Sequence, residues 1–322
     1  MRNSCLPTRC GRNSAPSSLN SASRSTIGAI AGSVPSPADS LSNLPPTNNT
    51  PPATPRPGAS NLALRVLSAL VLVPVALAAV WFGPPWFSGL IAVLALAASA
   101  EWRTIAVLER AGLRMILIMV PLFALVSIEV AGLEAGLIVL AVGLVLTVGT
   151  FAAPWNERSW ALVALLHVCV ATIAIMFLRT MPDVGCDLVF FLFAAVWLSD
   201  IGAYAVGRLI GGPKLAPAIS PNKTWAGAIG AVVITLAAAF IYAELTRAGL
   251  RGAMLAALLL SVAAQLGDLF ESFVKRHFSV KDSGNLIPGH GGVLDRVDGV
   301  LFAAPALALF ALLFGTDFIL WR

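Results

Sequence analysis

Charged residues are scarce in this 322-residue sequence. Asp, Glu, Lys and Arg together make up 11% of it, against about 25% in soluble domains. With 58% hydrophobic residues and a mean hydropathy of +0.86, that scarcity excludes a soluble globular domain and points to an integral membrane protein. Cysteine and histidine are also rare. Cys5, Cys10, Cys169 and Cys186 show no metal-ligand spacing and Cys169 lies inside an apolar run, which argues against a disulfide framework. His277 and His290 have no third ligand at zinc spacing, so a zinc site is not expected. The formal charge of +5 does not indicate nucleic acid, because no basic patch is interleaved with aromatics. Lysine is rarest among the cations: of 21 basic residues only Lys214, Lys223, Lys275 and Lys281 are lysine.

Long apolar runs are what the chain has instead. Residues 1–60 are rich in Ser, Pro, Asn and Thr, with five arginines and one acid, Asp39. They lack the apolar surface to fold and read as a disordered tail. An organellar transit peptide and a start site downstream of Met1 are the two other readings of that segment. The expected domain therefore covers 61–322, in nine apolar runs: 66–82, 86–101, 115–131, 135–153, 160–178, 188–206, 226–246, 253–270 and 299–320. Spans in a bilayer must satisfy their own backbone polar groups, so the expected fold is all-α, a polytopic membrane protein of about nine transmembrane helices. On alternate sides of nine spans, Arg56, Arg65, Arg103, Arg110, Arg114, Arg158, Arg208, Lys214, Lys223, Lys275, Arg276, Lys281 and Arg296 fall on one side. Only Arg179, Arg247, Arg251 and Arg322 fall on the other. The positive-inside rule puts the first side in the cytosol.

All four lysines lie in two loops on that side, after the sixth and eighth runs. In an arginine-using chain, this pattern suits compact ammonium contacts to phosphate, with chance clustering of orienting charge as the bland alternative. In the first loop, Asp200 sits near a span end, where it is either functional or paired with Tyr204 or Arg208. Ser220, Asn222, Lys223 and Thr224 then precede the next span, gathering hydroxyls, an ammonium and free N–H groups at a helix start, with Ser220 as N-cap. In the second loop, a continued helix places Asp268, Ser272 and Lys275 on one face, with Glu271 beside them, solvated or paired to a lysine. After Lys281 and Asp282 come Gly284, Pro288, Gly289, Gly291 and Gly292, a run that lets backbone approach a ligand closely. Asp295 and Asp298 follow on one face of the next helix. With Asp268 they form a three-carboxylate set suited to Mg²⁺, a hard cation that favours oxygen. Arg276 and Arg296 are candidate phosphate clamps, His290 a backbone-positioning or phosphate-touching residue, and Glu101 a partner for Arg103 or Arg65.

These residues carry a resemblance. Ser272–Asp298, reading SFVKRHFSVKDSGNLIPGHGGVLDRVD, is similar throughout to the signature of the phosphatidate cytidylyltransferase (CDP-diacylglycerol synthase) family, and DIGAY, SPNKTW and GDLFES extend the likeness upstream. Ala226 departs from it, where many members have Glu or Gln. The resemblance implies a nucleotidyltransferase of phospholipid biosynthesis that turns CTP and phosphatidate into CDP-diacylglycerol and pyrophosphate. It places Mg²⁺ on Asp268, Asp295 and Asp298, with K⁺ raised as a second cation. Catalysis would fall to Asp268, Asp295, Asp298 and Lys275; CTP or lipid phosphate would be bound by Ser220, Asn222, Lys223, Thr224, Ser272, Arg276, Lys281, His290 and Arg296. A homodimer, contact with membrane lipids and a bacterial inner membrane, or an organellar inner membrane, are further implications. Two other readings compete: a CTP-dependent transferase for another lipid phosphate, such as an isoprenoid one, and an ion-coupled transporter of broken helices.

Overall fold

The computed structural model describes the backbone of residues 59–284, 286 and 291–315 and the side chains from residue 70 onward. The tail expected over residues 1–60 lies outside the described residues except for its last two positions, and so does His290. Nine helices run through the described chain: α1 (Ala59–Phe82), α2 (Trp86–Ile105), α3 (Ala111–Ala131), α4 (Leu133–Val148), α5 (Trp155–Thr180), α6 (Gly185–Ile210), α7 (Trp225–Thr246), α8 (Leu250–His277) and α9 (Leu294–Phe314). Each corresponds to one apolar run of the sequence. Seven are long and apolar enough to cross a membrane, while α4 and the Leu70–Phe82 part of α1 are shorter apolar helices.

The chemistry of a hydrocarbon solvent explains both faces of these helices. Large apolar side chains stand exposed, as with Val130 (82%) and Leu209 (84%), because lipid receives them as well as a protein core does. The hydroxyls of Thr147, Thr172 and Thr235 donate to the carbonyls of Gly143, Val168 and Ala231 one turn back, so they need no outside partner. Helices then associate through close contact of small residues and a few polar pairs. A Cβ on Gly230 of α7 would lie 2.3 Å from Val206 Cβ of α6, so the glycine lets these two helices pack at backbone distance. Ser199 and Ser261 share a 2.9 Å hydrogen bond between α6 and α8, and Trp102 Nε1 donates to His167 Nδ1 at 3.1 Å between α2 and α5.

Two element boundaries position the functional end. Helix α8 continues beyond its apolar run to His277, carrying Glu271, Lys275 and Arg276 out on a rigid rod. Helix α9 begins at Leu294, so Asp295 and Asp298 lie in its first turns. Between α6 and α7 the chain differs from expectation. Lys214–Ala216 (β1) and Ser220–Thr224 (β2) form an antiparallel hairpin pairing Lys214 with Thr224 and Ala216 with Ser220. Ser220 is therefore a strand residue, and the N-cap of α7 is Thr224, whose hydroxyl accepts the Gly227 N–H at 3.1 Å. Proline explains the correction. Pro217 and Pro221 push the residues before them, Ala216 and Ser220, out of the helical region and into extended backbone, and a two-stranded ribbon consists of edges, where proline is tolerated.

Alternation of the helices places the α6–α7 hairpin at the opposite end of the bundle from the α7–α8 turn. A cysteine introduced at Ala248, in that turn, is expected to react with a membrane-impermeant maleimide applied from outside intact cells. One at Ala218, in the hairpin, is expected to react only after the cells are opened. Labelling of both from the same side would refute the nine-span alternation.

Candidate active site

One polar cavity of about 820 Å³ opens among α6, the hairpin, α7, α8 and α9, within the size range of small-molecule sites. Its wall carries Asp200, Tyr204 and Arg208 from α6, Asn222, Lys223 and Thr224 from β2, and Gln265, Asp268 and Lys275 from α8. Asp282 from the following loop and Asp295, Arg296 and Asp298 from α9 complete its charged lining. Five carboxylates and four cations at a membrane-facing helix end are costly unless they satisfy one another.

Much of that charge is paired. Lys223 Nζ meets Asp268 Oδ2 at 2.6 Å, tying the hairpin to α8. Lys275 Nζ meets Asp295 Oδ1 at 2.6 Å and lies 3.1 Å from Glu271 Oε1. Arg208 Nη1 donates to Tyr204 Oη at 2.7 Å, so Asp200 is not the local partner of that arginine and instead lines the cavity. Arg276 Nε reaches across to the carbonyl of Ile219 in the hairpin turn at 3.4 Å. Two loops separated by a whole transmembrane pair thus meet over one cavity.

Asp295 organises the second loop. Its Oδ2 accepts the Ser283 N–H at 3.0 Å, the Ser283 hydroxyl at 2.9 Å and the Gly292 N–H at 3.0 Å, while Oδ1 accepts from Lys275. Behind it stands Glu101, only 4% exposed. Glu101 was expected to pair with Arg103 or Arg65. Instead its Oε1 accepts the Val293 N–H at 2.7 Å and its Oε2 accepts the Leu294 N–H at 2.9 Å; Oε2 also lies 2.9 Å from the Ser283 hydroxyl, whose one proton it shares with Asp295. Val293 has no side chain able to cap α9, so a carboxylate from α2 satisfies the orphan N–H groups and complements the positive helix end. Sequence reasoning missed this role because the partners lie 182 to 193 residues away.

Asp268, Asp295 and Asp298 line the same cavity, and among the described residues no group of three or more His, Cys, Asp or Glu side chains stands close enough together to hold a metal ion. Asp295 is the one of the three engaged by Lys275, Ser283 and Gly292. Ser220, Ser272, Arg276 and Lys281 are not on the cavity wall, whereas Asn222, Lys223, Thr224, Asp268, Lys275, Asp295, Arg296 and Asp298 are. Glu271 is buried rather than solvated, although its expected lysine partner, Lys275, is there. Gln265 was overlooked, though it lies three residues before Asp268 and so on a neighbouring face of α8. The nearness of α8 and α9 at this level depends on Gly267, where a Cβ would lie 2.3 Å from the Asp298 carbonyl oxygen.

Comparison with known proteins agrees with this constellation. A sequence model of the cytidylyltransferase family matches residues 63–314. The chain belongs to the cytidylyltransferase family. Among its relatives, the phosphatidate cytidylyltransferase of Brucella suis is 40% identical over 265 residues, 79% of this chain and 95% of that protein. The one of Haemophilus influenzae is 35% identical over 283 residues, 77% of this chain and 98% of that protein. The one of Bacillus subtilis is 40% identical over 162 residues, 50% of this chain and 60% of that protein. The family match thus covers every cavity residue named above, from both loops.

Replacing Glu101 with Ala is expected to destabilise the detergent-solubilised protein by about 1–3 kcal/mol for each donor left without an acceptor. It is also expected to speed tryptic cleavage after Lys281, as the loop loses its anchor. A cleavage rate equal to that of the parent would refute the anchoring role.

Proposed function

We propose that this integral membrane protein transfers the cytidylyl group of CTP to phosphatidate, yielding CDP-diacylglycerol and pyrophosphate, in a cavity facing the cytosol. The observation that carries this reading is the Lys223–Asp268 pair of 2.6 Å, which joins the two polar loops over one cavity in a member of the cytidylyltransferase family. Family membership, with curated relatives named for this reaction, supports the substrates. The charge partition between alternate loops supports the cytosolic face and an inner bacterial membrane.

A phosphatidate phosphate oxygen attacks the α-phosphorus of CTP. A new P–O–P bond forms, the α–β phosphoanhydride breaks, and pyrophosphate leaves with the bonding electrons. Phosphatidate is already ionised near neutral pH, so positioning and electrostatic stabilisation carry the reaction without a general base. Lys223 and Asp268 neutralise each other across the cavity. An incoming nucleotide phosphate takes over Lys223, whose ammonium can rotate towards it. Arg296 faces the same cavity for a second phosphate. Asp295 keeps Lys275 directed into the site while holding the Ser283 loop through its other oxygen.

The donor set fits Mg²⁺ as an ion shared with substrate. Asp268 and Asp298 are hard oxygen donors on the same cavity wall, and Mg²⁺ is commonly bound by one or two carboxylates plus substrate phosphates instead of an all-protein cage. Bound there, it would neutralise phosphate charge. Asp295 is assigned to the loop and to Lys275, not to the ion. A transferase for an isoprenoid phosphate would use the same polar groups, and acceptor competition separates the two. The transporter reading is disfavoured because the chain belongs to the cytidylyltransferase family and its curated relatives are named phosphatidate cytidylyltransferases.

Membranes containing the chain are expected to convert labelled CTP into a lipid-soluble CDP product only when phosphatidate and Mg²⁺ are supplied; no product with any phospholipid acceptor would overturn the assignment. Asp298→Asn is expected to raise the Mg²⁺ concentration needed for half-maximal rate by about tenfold or more. Asp295→Asn should lower kcat and speed tryptic cleavage after Lys281 while leaving the Mg²⁺ requirement in place. The reverse pattern would transfer the metal role to Asp295.

A further inference from the structure

A second cavity of about 330 Å³ lies among α1, α2, α5, α6 and α9. Its floor is made of small buried residues, Ala95, Ala98 and Ala171, which are 5%, 2% and 4% exposed. One wall is the pair Phe193 and Trp197, whose rings stack with centroids 5.6 Å apart and planes 19° from parallel. At the rim, Leu72 is 45% exposed. Water has little to hold it there. Apart from Arg296 and the Trp197 indole, Thr172 is the one polar side chain in the lining, and its hydroxyl already donates to the Val168 carbonyl at 2.9 Å. A lining this apolar suits a hydrocarbon chain better than water.

Helix α9 is the partition between this slot and the polar cavity. Val293, Val297, Val300 and Leu301 recur at the spacing of one helical face and line the slot, while Asp295 and Asp298 line the polar cavity. Arg296 alone among the side chains of α9 lines both. A guanidinium at the junction of an apolar slot and a phosphate site matches the chemistry of a molecule with a phosphate at one end and a hydrocarbon chain at the other.

We propose that the slot holds one acyl chain of the phosphate-bearing lipid substrate, with its phosphate at Arg296 and its second chain left in the bilayer. This rests on the reaction proposed above. Because lipid tails are as apolar as the slot, moving a chain into it provides little net driving force. The slot therefore sets the position of the phosphate along α9, and its signature is discrimination between chain lengths more than tight binding. A chain long enough to fill the slot is registered against Arg296; a short one is not.

The test compares kcat/KM for dioleoyl and dihexanoyl phosphatidate in mixed micelles of constant detergent. The parent is compared with Ala171→Phe, which fills the floor, and with Leu94→Trp, which narrows the half-buried rim in case the first variant does not fold. The long-to-short ratio is expected to fall about tenfold, the scale at which apolar pockets discriminate, with the KM for CTP unchanged. An unchanged ratio, or an equal loss on both lipids, would overturn the proposal. Independently of turnover, phosphatidate carrying a diazirine in its acyl chain is expected to cross-link to the slot-lining residues of α2 and α5 in the parent protein without CTP. That labelling should be competed by unlabelled phosphatidate and not by phosphatidylcholine. Labelling confined to the outer lipid-facing surface, or competed equally by phosphatidylcholine, would overturn it. If the parent forms no CDP-lipid from any phosphatidate, the assigned reaction has failed, and the cross-link still decides the slot.

Discussion

The carboxylate of Asp295 is the contact on which the functional end depends. A charge at the end of a transmembrane helix must be matched where it sits, and this one is matched from three directions: the ammonium of Lys275 on α8, the backbone and hydroxyl of Ser283, and the backbone of Gly292. Ser283 and Gly292 belong to the loop between α8 and α9. Glu101 then secures the same loop from α2, through Ser283 and the N-terminal N–H groups of α9. Helix end, loop and the Lys275 ammonium are thus parts of one hydrogen-bonded unit, and removing one partner leaves the others with unsatisfied polar groups.

The second organising feature is proximity of backbone. Gly267 lets α8 lie against the Asp298 carbonyl of α9, and Gly230 does the same for α7 against α6. Those two approaches bring carboxylates from α8 and α9 onto one wall and set the hairpin over the same cavity. In hydrocarbon, where apolar burial does little to drive helix association, such close contacts are a main means of fixing relative helix position. The glycines near the site therefore act as spacers for its charges.

Helix α9 has a double use. One of its faces presents Asp295 and Asp298 to the polar cavity, and the other presents valines and a leucine to the apolar slot, with Arg296 between them. A reaction that joins a water-soluble nucleotide to a lipid phosphate needs both environments within one side chain's reach, and a single amphipathic helix end supplies them.

By itself the sequence determined the membrane class, the nine helices and the two polar loops that hold most of the site. Runs this long and continuously apolar satisfy their backbone in a bilayer as helices, and ionisable groups among them are costly enough to stand out. It also identified Lys223, Asp268, Lys275, Asp295, Arg296 and Asp298, because polar residues stand out in such surroundings. Tertiary structure decided how those groups divide the work. Asp295 turned out to hold a loop because Ser283 and Gly292 fold back upon it, and Glu101 became the cap of a helix nearly two hundred residues away. The hairpin was overlooked in favour of a helix start, although two X-Pro steps marked it. The slot lay beyond sequence reasoning altogether, since its floor of alanines looks like any other apolar stretch until five helices are packed around it.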